Sequence, residues 1–160
     1  SHSENPTIEG DIVVLAVPYP ALASIAEQYG DQLEGKTVVD ITNPLDFSTF
    51  DSLVVPADSS AAAELQAKLP KSHVLKAFNT VFAANIASKK TGDAQSTVLV
   101  AGDDDAAKAA FIDLVKAGGL DAIDAGALKR ARELEAFGFL QLALAVQKKI
   151  SFTAGFAVYR

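Results

Sequence analysis

The chain has no cysteine, no methionine and no tryptophan in its 160 residues, and only two histidines. Without thiols there can be no disulfide, no zinc–thiolate or iron–sulfur centre and no cysteine nucleophile. His2 and His73 alone leave little from which to build a histidine-rich metal site, so no metal is expected. Basic residues are also short: 14 Lys and Arg face 20 Asp and Glu, for a formal net charge of −6. Such a balance argues against nucleic acid as a partner, which calls for a basic face, and against docking on an anionic membrane. Long hydrophobic runs are missing too. The longest, Ala136 to Val146, is interrupted by Gln141 and falls short of the roughly 20 residues that span a bilayer. No basic stretch leads into an apolar one as in a signal peptide, so the expected compartment is cytoplasmic. The missing methionine includes an initiator, so Ser1 follows either methionine removal or a further segment.

What is present is apolar. Hydrophobic residues make up 49% and charged residues 21%, which excludes intrinsic disorder. The length suits one domain over residues 1–160. Asp11 to Val17 is a continuous, β-branched apolar run, as in a strand buried on both faces of a parallel sheet. Further strands are read at 36–41, 72–78, 97–101 and 121–124. Helices are read at 21–29, 59–69, 82–88, 103–117 and 127–149. Gly30 and Gly35 are expected to bracket a return loop, 89–96 to be a loop, and 150–160 a tail. Strands alternating with helices through short loops predict an α/β fold, a doubly wound parallel sheet of Rossmann type.

In such a sheet ligands bind beyond the carboxyl ends of the strands. The residues that follow the strands are Pro18-Tyr19-Pro20, Thr42-Asn43-Pro44, Asn79-Thr80, Gly102-Asp103-Asp104 and Gly126. They offer amides, a hydroxyl and a ring but no nucleophile–base pair, which suits holding a flat cofactor that carries its own chemistry. The alternative is that these residues simply form turns. Asp103-Asp104-Asp105 lacks the alternating acids of a calcium loop and reads as a helix start that complements the dipole. Lys129–Glu133 and Arg132–Glu135 have the spacing of helix-surface pairs, and the same cations could rim an anionic cofactor.

The helix ending at Lys149 is apolar nearly all round. Phe137, Leu140 and Leu144 form one stripe, and Phe139, Leu142 and Val146 another. A sheet covers only one such stripe. The other is expected to bury against a second copy, giving a homodimer through 136–146, unless the aromatic tail covers it.

Five segments carry a resemblance: Asp11-Ile-Val-Val-Leu-Ala-Val-Pro-Tyr19, Val38-Val-Asp-Ile-Thr-Asn-Pro-Leu45, Lys76-Ala-Phe-Asn-Thr80, Val100-Ala-Gly-Asp-Asp104 and Asp124-Ala-Gly-Ala-Leu128 with Ala131-Arg-Glu-Leu-Glu135. Occurring in this order, they resemble the NADP oxidoreductase family typified by deazaflavin-dependent NADP reductases, with the reductase domain of the transmembrane metalloreductases as a relative. The resemblance covers essentially the whole chain. It implies a hydride transfer between NADP(H), or NAD, and a small planar electron acceptor such as a deazaflavin or flavin. That family opens with a G-x-G-x-x-G βαβ unit. Nothing of that kind precedes Ile12, so the expectation is an N-terminally incomplete fold that binds NADPH poorly by itself. A non-catalytic remnant serving as a binding or dimerisation module is the alternative. By the resemblance, Ser1 and His2 would meet the 2′-phosphate, His2 as a weaker cation than arginine. Pro18, Tyr19 and Ala23 would line the cofactor groove. Asn43, Pro44, Asn79, Thr80 and Ala83 would surround the nicotinamide.

Overall fold

The computed structural model describes residues 6–160, so Ser1 and His2 lie outside the described residues. Its central sheet has five strands in the order β1-β2-β3-β6-β7: β1 (Ile12–Leu15), β2 (Thr37–Asp40), β3 (His73–Lys76), β6 (Thr97–Gly102) and β7 (Asp121–Gly126). Helices α1 (Ala21–Leu33), α2 (Ala61–Lys68), α3 (Ala83–Ser88), α4 (Asp105–Ala117) and α5 (Ala131–Val146) surround it. Two-residue strands β4 (Lys90–Thr91) and β5 (Ala94–Gln95) form a small hairpin where the sequence suggested a loop.

Consecutive strand residues alternate between the two sheet faces. Val38 and Val74 join Leu22, Ala26 and Leu65 beneath α1 and α2, while Val39 and Leu75 join Phe111 and Val115 beneath α4. Both faces are thus covered, as a doubly wound sheet requires. Ser60 caps α2 by accepting from the Ala63 N–H (3.0 Å), and Asp104 caps α4 by accepting from the Ala107 N–H (2.7 Å), which confirms the acidic run as a helix start.

The sheet is mixed rather than wholly parallel. The pairs β1–β2, β2–β3 and β6–β7 are parallel, but β3 and β6 are antiparallel, with Leu75 opposite Gly102. A parallel return needs a long crossover, and the connection here is only the six-residue α3 and the hairpin. So β6 enters the sheet at the end where β3 leaves it. A Cβ on Gly102 would stand 2.3 Å from Leu75 Cδ2, so any larger residue there would displace that buried side chain.

Other expectations are also corrected. Gly30 lies inside α1, which runs four residues beyond the 21–29 read from the sequence. The last helix is shorter than 127–149: a 3₁₀ turn, Leu128–Arg130, precedes α5, which stops at Val146. Strand β1 is not buried on both faces. It is the sheet's end strand, α4 packs over β6 and β7 at the opposite end, and Val14 is 46% exposed. Among the described residues, no helix is long and apolar enough to cross a membrane.

Candidate functional site

The antiparallel step splits the residues that follow the strands between two ends of the sheet. Those after β1, β2 and β3 share one end. Asp103, Asp104 and Gly126 lie at the other, where the Asp104 carboxylate meets His73 Nδ1 at the start of β3 (3.2 Å). The expectation that all of them face one ligand is thereby corrected.

At the shared end, Pro18 and Tyr19 after β1 and Thr42, Asn43 and Phe47 after β2 line a groove of about 340 Å³. None of its lining residues is charged. Tyr19 is also the wall of a second, smaller cleft of about 120 Å³ between α1 and α2, where Ala23 lies beside Glu64 and Lys68. The Tyr19 hydroxyl donates to Glu64 Oε2 (2.7 Å), which fixes the ring between the two spaces. Burial, then the bond to Glu64, pushes the phenol up to about 12.

The remaining sequence candidates sit differently. Pro44 and Thr80 are buried, and the Thr80 carbonyl accepts from Gln141 Nε2 of α5 (3.1 Å). Asn79 is buried and turned toward α5, donating to the Leu134 carbonyl (2.8 Å) and more weakly to Asn43 Oδ1 (3.4 Å). Its own Oδ1 is buried with no partner. Ala83 is exposed at the start of α3. Asn43 and Asn79 are therefore brought together, with Pro18 and Tyr19 across the groove from Asn43, and Ala83 stands apart. The turn carrying Asn79 is strained: Phe78 has φ +63°, and the Asn79 N–H donates to the Ala77 carbonyl two residues back (2.8 Å). Gly138 of α5 allows this packing, since a Cβ there would lie 2.7 Å from Asn43 Oδ1 and 2.8 Å from the Asn79 carbonyl.

Beneath the groove lies a charge cluster that the sequence reading missed. Lys76 is fully buried, and its ammonium donates to Asp40 Oδ2 (3.0 Å), the Thr42 carbonyl (2.7 Å) and Glu135 Oε1 (2.9 Å). Those three acceptors use all three of its protons. Asp40 Oδ1 accepts from the Thr42 N–H (2.8 Å), so both sides of Thr42 are held by this cluster. Glu135 also accepts from the Ala61 and Ala62 N–H groups at the start of α2 (2.9 and 3.3 Å). Burial pushes its carboxyl above the ordinary range despite the pull of Lys76. Arg132 does not pair with Glu135 as the spacing suggested, and Arg130 reaches Glu133 instead (3.3 Å). One signal could have revealed the cluster: Asp40 and Lys76 are lone opposite charges in apolar strands, and they are direct partners in the β2–β3 register.

The outer side of α5 also departs from expectation. Its buried residues are Ala131, Leu134, Glu135, Gly138, Gln141 and Ala145, so the side turned inward is small or polar. Neither apolar stripe is the one that faces the sheet. Leu140 and Val146 are exposed, and the tail covers part of the rest, with Phe156 packed on Phe137 (ring centroids 5.1 Å apart) and Phe152 on Phe82 (5.2 Å). Gln141 Oε1 anchors the tail by accepting from the Phe156 N–H (3.1 Å). Among the described residues no group of three or more His, Cys, Asp or Glu could hold a metal ion.

Comparison with known proteins agrees with this architecture. Residues 1–44 match the family described as NADP oxidoreductase, coenzyme F420-dependent. The chain is 36% identical over 145 residues to the F420-dependent NADP reductase of Methanocaldococcus jannaschii, an alignment covering 88% of this chain and 65% of that protein. It is 35% identical over 126 residues to the metalloreductase STEAP3 of Rattus norvegicus, covering 78% of this chain but 24% of that one. A solved structure from Arthrobacter sp. FB24, described as a candidate F420-dependent NADP reductase, superposes with a TM-score of 0.84 at 29% identity, covering 94% of this chain and 70% of that chain. The chain therefore spans just under two thirds of the archaeal reductase it matches. With the sheet, the paired strand-end turns and these likenesses agreeing along most of its length, the chain is similar to the NADP oxidoreductase family.

Proposed function

We propose that the 160 residues act as one dinucleotide-binding domain of an NADP(H)-dependent oxidoreductase whose acceptor is a planar ring such as a deazaflavin. The observation that carries this reading is the uncharged groove between Pro18-Tyr19 and Thr42-Asn43, at the carboxyl ends of adjacent parallel strands. A flat ring with an amide substituent fits its lining: aromatic walls from Tyr19 and Phe47, apolar Val17 and Ile41, and the Asn43 amide. The groove has no cation, so its residues suit the nicotinamide end of the dinucleotide and not the phosphates. When bound, the nucleotide supplies the hydride at its nicotinamide C4. Tyr19 and Pro18 would bound the ring on one side and Asn43 would orient its amide, while Asn79 holds Asn43 from behind. No acid or base is required, because hydride transfer between stacked rings depends on alignment.

The test is NADPH oxidation by the full-length protein with coenzyme F420, FMN and a quinone offered separately. Turnover with the deazaflavin supports the reading. No binding of NADP(H) by fluorescence titration removes it. The reading also includes a homodimer through the outer face of α5, supported by the exposed Leu140 and Val146. Light scattering at micromolar protein checks this, and a monomer mass removes the dimer.

A further inference from the structure

Resting on that reading of the groove, the buried charge beneath it has a consequence for which ring the groove prefers. One side of the groove is the Thr42–Asn43 turn, and both polar atoms of the Thr42 backbone are bonded to the buried cluster. The cluster holds two acids, Asp40 and Glu135, and one cation, Lys76, all fully buried. Every partner of Glu135 is a donor: the Lys76 ammonium and two backbone N–H groups. A protonated carboxyl would have to turn a proton toward one of them, so the geometry selects the carboxylate. The cluster therefore carries a net negative charge that water does not reach.

A further carboxylate, Glu64, stands on the Tyr19 side, bonded to the phenol that walls the groove. The only fully buried lysine nearby, Lys76, is already saturated, and Lys68 and Arg132 are exposed and screened. The field of this arrangement reaches the groove wall. Glu64, Glu135 and Asp40 all raise the energy of a negative charge on Tyr19.

A nicotinamide ring is cationic when oxidised and neutral when reduced. We infer that the groove distinguishes these forms: the excess buried carboxylate beneath Thr42–Asn43, together with Glu64, favours the cationic ring over the neutral one. A charge fixed in a water-excluded site acts on a charged ligand far more strongly than on a neutral one of the same shape. The ratio of the two affinities, rather than either alone, is then the property set by Glu135 and Glu64, which act without touching the ring and are positioning residues.

The experiment measures Kd for NADP+ and for NADPH on the full-length protein, on Glu135→Gln and on Glu64→Gln. Both substitutions keep size and an acceptor oxygen and remove one negative charge. Each should weaken NADP+ binding relative to NADPH by roughly threefold to tenfold, the scale of a partly screened charge at this range. A merely structural role would weaken both forms equally and leave the ratio at the wild-type value, which overturns the inference. If Glu135→Gln fails to fold, Glu64→Gln decides alone, since Glu64 lies at the surface side of α2 and its ratio must still fall. Wild-type protein that binds neither form overturns the proposed function and this inference together. Wild type that binds both, with the ratio unmoved in the variants, overturns this inference only.

Discussion

Helices α4 and α5 lie against the same sheet and are built in opposite ways. Helix α4 turns Phe111 and Val115 inward, with only Lys108 among its buried polar residues. Lys108 is satisfied by the Gly102 carbonyl and the Asp124 carboxylate (3.2 and 3.1 Å). Helix α5 turns Glu135, Gly138 and Gln141 inward and leaves Leu140 and Val146 in solvent. The first helix is attached by apolar area. The second is attached by hydrogen bonds and close backbone approach at the groove end of the sheet, where polar groups of β2, β3 and the turns need partners. The inward polar face of α5 thus serves the buried polar groups at that end of the sheet, while the inward face of α4 serves the apolar core.

This contrast can be broken from either side. Phe111→Ala should cause the largest loss of stability, about 3–5 kcal/mol, because it removes a fully packed ring and leaves a cavity. Chemical denaturation checks it, and the groove's affinity for NADPH should be unchanged in the folded fraction. Gly138→Ala should cost less, about 1–3 kcal/mol, since its Cβ meets Asn43 and the Asn79 backbone. Unlike the first variant it should also weaken nucleotide binding, because Asn43 must move. Titration together with melting distinguishes the two helices: an unchanged affinity in Gly138→Ala would make α5 a core helix like α4.

Tyr19 gives a smaller, pH-dependent effect. Its phenol ionises near 12 in the fold against 10.0 when free, so the folded state keeps the proton longer than the unfolded state. The Tyr19 contribution is whole below pH 10 and is lost as pH rises toward 12. Melting temperatures across that range should fall less steeply in Tyr19→Phe than in wild type, and equal slopes would contradict the bond to Glu64. Leu140→Lys should be the mildest for folding, within about 0.5 kcal/mol, because the side chain is half exposed. If α5 forms the dimer, the same variant should halve the mass seen by light scattering.

The first two strands were legible because each is a β-branched run that ends before a proline, Ile12–Leu15 before Pro18 and Thr37–Asp40 before Pro44. The caps Ser60 and Asp104 were legible for a similar local reason. The direction of β6 was not. Parallel and antiparallel strands buried on both faces have the same apolar pattern, and only the short α3 connection decides between them. Of the groove's lining, Pro18, Tyr19 and Asn43 were readable from their position after a strand. Glu135 was read as half of a surface pair because helical spacing cannot tell which of two neighbouring faces turns inward.

The sequence by itself determined the alternation of strands and helices, the absence of thiol chemistry and the turns that border the groove. These depend on residues near one another in the chain, where backbone sterics and periodicity act directly. Only the tertiary structure decided that Asp40, Lys76 and Glu135 meet, that Asn79 turns toward α5 and that Asp104 lies at the far end of the sheet from Asn43. Those outcomes depend on strand order and direction, which bring together groups up to 95 positions apart (135 − 40). A buried charge is tolerated only where such distant partners converge.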